Sequence, residues 1–124
     1  LYPLGSAELL MDENVNSADS LNYLVDLLER NENLIIQLEA HTDSRGTASA
    51  NKSLSQRRAE TCVDYLKEKG VVSERMVPVG YGEDVLLVSD AEIARLPETD
   101  RERAHQRNRR TVFKIVAFDY KPAE

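Results

Sequence analysis

The feature that most constrains this chain is the alternation at residues 34–40, LIIQLEA. Leu34, Ile36, Leu38 and Ala40 alternate with Ile35, Gln37 and Glu39, the period-2 signature of a strand with one fully buried face. A strand with a dry face needs a cover, and the flanking sequence supplies one at helical period. Leu21, Leu24, Val25 and Leu28 recur three or four residues apart before it; Ala59, Cys62, Val63 and Leu66 do so after it.

Punctuation sets the limits of these elements. Asn16, with Asp19 in the first turn, has the character of an N-cap for the first helix, and Asn31 and Asn33 stop it. Ser53 and Gln56 have capping-box spacing, so the second helix is expected to open there, and Gly70 fits the left-handed residue that closes it. Residues 41–51, HTDSRGTASAN, are then a polar loop of about a dozen residues, a length that commonly carries function.

Residues 77–82 (VPVGYG) read as a short strand weakened by Pro78, and residues 85–100 as an excursion with one helical turn. Residues 111–118 (TVFKIVAF) form the last and most apolar strand, while residues 1–11, interrupted by Pro3 and Gly5, read as the end of another. The expected fold is an α/β (α+β) two-layer sandwich of βαβαβ type. It has a small mixed sheet with helices on one face and spans residues 1–124 as a single domain.

Charge narrows the function. Lys and Arg total 16 against 22 Asp and Glu, a net charge of −6, which argues against a general nucleic-acid binder. Cys62 is the only cysteine, which excludes an internal disulfide framework. No run approaches the ~18 apolar residues of a membrane-spanning helix. Within this acidic chain, residues 101–110 read RERAHQRNRR, with five arginines and one glutamate. The run is either a solvated charge stretch balanced by Glu98, Asp100 and Glu102, or an anion-facing rim suited to a carboxylate-rich polymer. Spacing does not separate the two.

Asp43 falls just after the central strand and Arg58 in the first turns of the next helix, so the two can face one cleft. Held apart, they suit a zwitterion, guanidinium to carboxylate and carboxylate to ammonium. Alternatively they pair with each other, or Asp43 caps the loop, and spacing alone favours these structural readings. Asn51 reads as a turn residue or a ligand-facing amide, and Arg45 beside Gly46 as a cleft residue or a solvated charge. His41 and His105 are the only histidines; no metal-ligand set, cofactor motif or nucleophile motif accompanies them. His41 is expected to be structural, at the strand end, and Cys62 to pack in the core.

Three ordered motifs carry a resemblance. The stretches HTDSRGTASANKSLSQRRAETCVDYL, VPVGYGE and QRNRRTVFKI resemble the OmpA-like peptidoglycan-binding domain found in OmpA-type porins, peptidoglycan-associated lipoproteins and flagellar stator proteins. The likeness runs from about Leu4 to Val116, and the TDSRGT loop is closest to the lipoprotein version because of Arg45. It implies non-covalent binding of peptidoglycan through the diaminopimelate of its stem peptide, with no catalysis. Carried over residue by residue, Asp43 takes the ammonium and Arg58 a carboxylate. Thr42, Asn51 and Leu54 line the pocket, Arg109 stands near its rim, and Arg45 comes from the lipoprotein-type loop. Arg101, Arg103 and Arg107 are left as surface charge.

The resemblance further implies a periplasmic module, tethered to the outer membrane of a Gram-negative bacterium, that anchors an outer-membrane protein or lipoprotein to the cell wall. Envelope proteins of the Tol system are a second class of partner. The chain begins at Leu1 rather than Met and is expected to be a piece of a longer envelope protein. It departs from the family pattern in the turn at Gly5 and Ser6, in His105 and Gln106 before the NRR motif, and in a longer excursion over residues 85–101.

Overall fold

The computed structural model describes residues 8–12 and 17–122. The elements run β1 (Glu8–Asp12), α1 (Ser17–Arg30), β2 (Ile35–His41), α2 (Ala48–Glu68), a 3-10 turn (Ser73–Arg75), β3 (Met76–Gly82), α3 (Asp90–Ala94), α4 (Glu98–Asn108) and β4 (Arg110–Ala117). The strands form one mixed sheet in the order β1-β4-β2-β3. β4 runs antiparallel to both β1 and β2, whereas β2 and β3 are parallel, as expected of strands joined by a helical crossover. The expected Asn16 cap and the turn at Gly5 and Ser6 lie outside the described residues.

The alternation in β2 does what it predicts. Ile36 and Leu38 are fully buried against Leu24, Leu28, Val63 and Leu66 of α1 and α2, and Phe113, the cross-strand partner of Leu38, completes the layer. Burying each such side chain contributes roughly 1.5–3 kcal/mol, so this layer is the main source of stability. Arg75 is buried as well. Its guanidinium donates to the carbonyls of Leu28, Asn31 and Leu34, satisfying the open end of α1 and the entry to β2.

Two expectations are corrected. The second helix begins at Ala48, capped by Thr47, whose hydroxyl accepts the Ala50 N–H at 3.2 Å. Ser53 and Gln56 lie inside α2, so their spacing is not a capping box, and Asn51 and Leu54 are helical. The residue 85–100 excursion contains α3 and opens α4, and the arginine run rides on α4 and its junction with β4. α4 lacks an apolar stripe, burying only Ala104 and Asn108, so hydrophobic periodicity does not reveal it.

Gln56 has a different task. β3 is an edge strand, and its outward-facing peptide groups meet α2 instead of another strand. The Gln56 amide donates to the Pro78 carbonyl at 3.3 Å and accepts the Gly80 N–H at 2.9 Å, while Ser55 Oγ accepts the Gly82 N–H at 2.8 Å. Side chains of α2 thus occupy the edge that another chain could otherwise extend. Such close approach requires glycine: a Cβ on Gly80 would lie 2.2 Å from the Gln56 nitrogen.

Candidate functional site

The site is built where β2 ends. Asp43 follows the strand directly, with its carboxylate mostly withdrawn from solvent. The Arg45 backbone N–H donates to Asp43 Oδ1 at 2.9 Å, and the Arg45 guanidinium reaches Oδ2 at 2.8 Å. Arg109, at the α4–β4 junction, donates to the same Oδ2 at 2.8 Å. Both arginines also bond Glu102 of α4: Arg45 Nη1 at 2.9 Å to Oε1 and Arg109 Nη2 at 3.2 Å to Oε2. Two acids and two arginines therefore close a ring.

Electrostatics follow from that geometry. Burial pushes the Asp43 pKa up, but hydrogen bonds from Arg45 and Arg109 outweigh it and hold the carboxyl at about 2. The same bonds, first from Asp43 and then from Glu102, raise the Arg45 pKa. Glu102 is lowered by its bonds to Arg45 and Arg109. Both carboxyls of the ring are ionised at neutral pH.

The loop is held from beneath. Asn51, buried in the first turn of α2, directs its amide at the carbonyls of Asp43 and Arg45, at 3.3 and 3.0 Å, and at Glu83 Oε1 at 3.1 Å. Thr42 is buried, its N–H donating to the Gly82 carbonyl and its hydroxyl to the Asp43 carbonyl. Ser44 donates to the Asp90 carboxylate at the start of α3. Thr42 and Asn51 thus shape the loop through its backbone. Leu54 and Arg58 are half-buried on α2. Arg58 follows Asn51 by seven residues, two turns on the same stripe of the helix.

The NRR motif divides three ways. Asn108 is fully buried; its Oδ1 accepts the Leu87 and Val88 N–H groups at 2.8 and 2.9 Å and its amide donates to the Val88 carbonyl at 2.9 Å. Arg109 turns to Asp43, and Arg110 is buried, donating to the carbonyls of Val85 and Asn108. Arg101, expected as plain surface charge, donates to the Ala94 and Leu96 carbonyls and ties off the end of α3. Glu102 is the site residue that the sequence reading left among the balancing charges. Its signal is the seven-residue step to Arg109, visible only once α4 is known to be a helix.

His41 belongs to the opposite face of the sheet. It stacks on Tyr81 at 5.3 Å with 12° between the rings, and its Nε2 lies 3.6 Å from Glu39. Burial, followed by the nearby Arg110 charge, lowers its pKa to about 4. Gln37 and Lys114 also reach the Glu39 carboxylate. Burial raises the Cys62 thiol pKa, in keeping with its place at the core. Among the described residues no group of three or more His, Cys, Asp or Glu is placed to hold a metal ion.

Fold and site together define a class: a small α+β sandwich with a charged, ion-paired loop at the end of its central strand. The chain belongs to the OmpA family, whose model matches residues 2–103. It is 37% identical over 104 residues to the peptidoglycan-associated lipoprotein of Buchnera aphidicola subsp. Baizongia pistaciae, covering 82% of this chain and 55% of that protein. It is 36% identical over 86 residues to the same-named protein of Brucella melitensis, covering 66% and 51%. The chain thus spans about half the length of these curated relatives. In fold it is similar to the crystal structure of the peptidoglycan-associated lipoprotein from Burkholderia pseudomallei, at a TM-score of 0.66, 23% identity and coverage of 93% and 92%. It is also similar to the cell wall anchor of the T6SS from Pseudomonas aeruginosa, at 0.63, 21% identity and coverage of 84% and 68%.

Proposed function

We propose that this chain binds peptidoglycan without covalent chemistry and anchors an outer-membrane protein or lipoprotein to the cell wall. The observation that carries the reading is Asp43, held ionised at the loop of an OmpA-family fold whose named relatives are peptidoglycan-associated. In this reading the ligand is the diaminopimelate of the stem peptide. Its ammonium goes to Asp43 and a carboxylate to Arg58, with Arg109 and Arg45 at the rim and Leu54 on the apolar wall. Thr42 and Asn51 serve by fixing the loop. The activity is binding alone, and the module works in the periplasm of a Gram-negative bacterium as one domain of a longer chain.

A crystal soaked with diaminopimelate tests the placement. Density bridging Asp43 and Arg58 is the expected result; ordered ligand elsewhere, with this cleft empty, contradicts it.

A second reading is an envelope protein–protein module, with Tol-system proteins as partners. It is favoured by the ring itself, because both arginines already occupy Asp43 Oδ2 and an entering ammonium competes with them there. Retention of a protein partner by an Asp43→Ala variant that no longer binds peptidoglycan supports this alternative.

A further inference from the structure

The α4 residue Glu102 bonds both arginines of the site and closes the ring to Asp43 through Arg45 and Arg109. It is largely exposed, with 62% of its side chain open to solvent. With Glu102 the four-residue ring is neutral. Without it, two guanidiniums face one carboxylate and the ring carries a net positive charge.

We propose that Glu102 is the specificity residue of the Asp43 site, making it take a zwitterion and reject a plain dicarboxylate. The inference rests on the reading of Asp43 as the ammonium acceptor and adds a reason for the site's preference. An ammonium arriving at Asp43 Oδ2 competes there with Arg45 and Arg109. Because Glu102 already bonds both guanidiniums, the displaced one keeps that carboxylate as a partner. The same contacts make the arginines less available to a ligand that offers only carboxylates. One carboxylate thus assists the ammonium and competes with the anion.

Geometry supports an exchangeable partner more than a rigid strut. Arg45 Nη2 lies 2.8 Å from Asp43 Oδ2 and 3.3 Å from Glu102 Oε2, so one nitrogen already serves both acids. Arg109 divides its two terminal nitrogens between them, at 2.8 and 3.2 Å. Both guanidiniums therefore already contact Glu102 while bonded to Asp43.

The test compares meso-diaminopimelate with pimelate, the same seven-carbon dicarboxylate lacking both amines, by NMR titration of this chain at low salt. The native chain is expected to prefer diaminopimelate. Glu102→Gln is expected to weaken diaminopimelate and strengthen pimelate, each by about three- to five-fold, the scale of an exposed ion pair. Glu102→Asp restores part of the preference. Glu98→Gln removes the same charge elsewhere on α4 and leaves the preference as it was. An unchanged ratio in Glu102→Gln, in a chain that binds diaminopimelate, overturns the assignment and leaves the binding reading intact. Equal loss of both ligands assigns Glu102 a structural role and also overturns it. A native chain that binds neither ligand nor insoluble peptidoglycan overturns both.

Discussion

Arg109 and Asp43 stand 66 positions apart in the chain and 2.8 Å apart in the fold. That contact joins the end of β2 to the start of β4, so the candidate site exists only when these neighbouring antiparallel strands are in register. The ion pair is mostly shielded from water, with Arg109 19% and Asp43 9% exposed at the side chain. Its removal therefore costs more than that of an ordinary surface pair.

Asp43 makes the chain sensitive to acid. Its pKa falls from 3.8 to about 2 in the folded state, so its contribution is complete above the unfolded value and is lost as pH drops from about 4 to 2. Asp43→Asn should lower stability at neutral pH by about 1–2 kcal/mol and flatten the acid limb in that window. Urea denaturation at pH 2, 3, 4 and 7 measures both effects.

His41 predicts a second, milder window. Its pKa is lowered from 6.5 to about 4, which favours the neutral ring in the folded state. Stability is then complete above about pH 6.5 and declines as pH falls toward 4, because the unfolded chain takes up the proton first. His41→Gln should remove this slope. Thermal melts of both chains between pH 4 and 7 check it, and the same slope in both contradicts the assignment.

The sealed edge of β3 is fragile at defined points. Gly80→Ala forces a Cβ to within 2.2 Å of the Gln56 backbone and should cost on the order of 2–3 kcal/mol. Ser55→Ala leaves the buried Gly82 N–H without its 2.8 Å acceptor and should cost about 1–2 kcal/mol. Chemical denaturation ranks the two variants, with Gly80→Ala the less stable.

Asn108→Ala removes three hydrogen bonds that hold Leu87 and Val88 and should destabilise by roughly 2–4 kcal/mol. The damage is expected to be local. Hydrogen exchange should quicken across residues 85–110 before it does in β2 or α2.

Much of this fold is legible where burial is periodic. The β2 alternation, the α2 stripe and the positive φ of Gly70 each follow from one local rule. The start of α2 is not, because Ser53 and Gln56 imitate a cap while Thr47 supplies it. α4 is nearly all polar, so no periodicity marks it, and Glu102 stays hidden with its helix. At the site, Asp43 and Arg109 are legible through their motifs. Asp43 is engaged structurally, as spacing favours, but by Arg45 and Arg109 rather than by Arg58, and it caps the loop through the Arg45 N–H. Asn51 reads from its residue type as a turn residue or a ligand-facing amide, and from the resemblance as pocket lining; in the fold its amide donates to the loop backbone and to Glu83.

The carboxylate-gripping role given to Arg58 has its own consequence. A charge-assisted bond contributes about 1.5–3 kcal/mol, so Arg58→Ala should weaken ligand binding roughly ten- to a hundred-fold. Arg58→Lys should recover only part of it, because the two-pronged planar donor is lost. Equal affinity for Arg58→Lys argues that charge alone is read.

The most direct measurement is co-sedimentation of the chain with insoluble, diaminopimelate-containing peptidoglycan, comparing the native sequence with Asp43→Asn and Arg58→Ala, each first shown to be folded. The account predicts that the native chain pellets and that both variants remain largely in the supernatant. Equal pelleting of all three contradicts it.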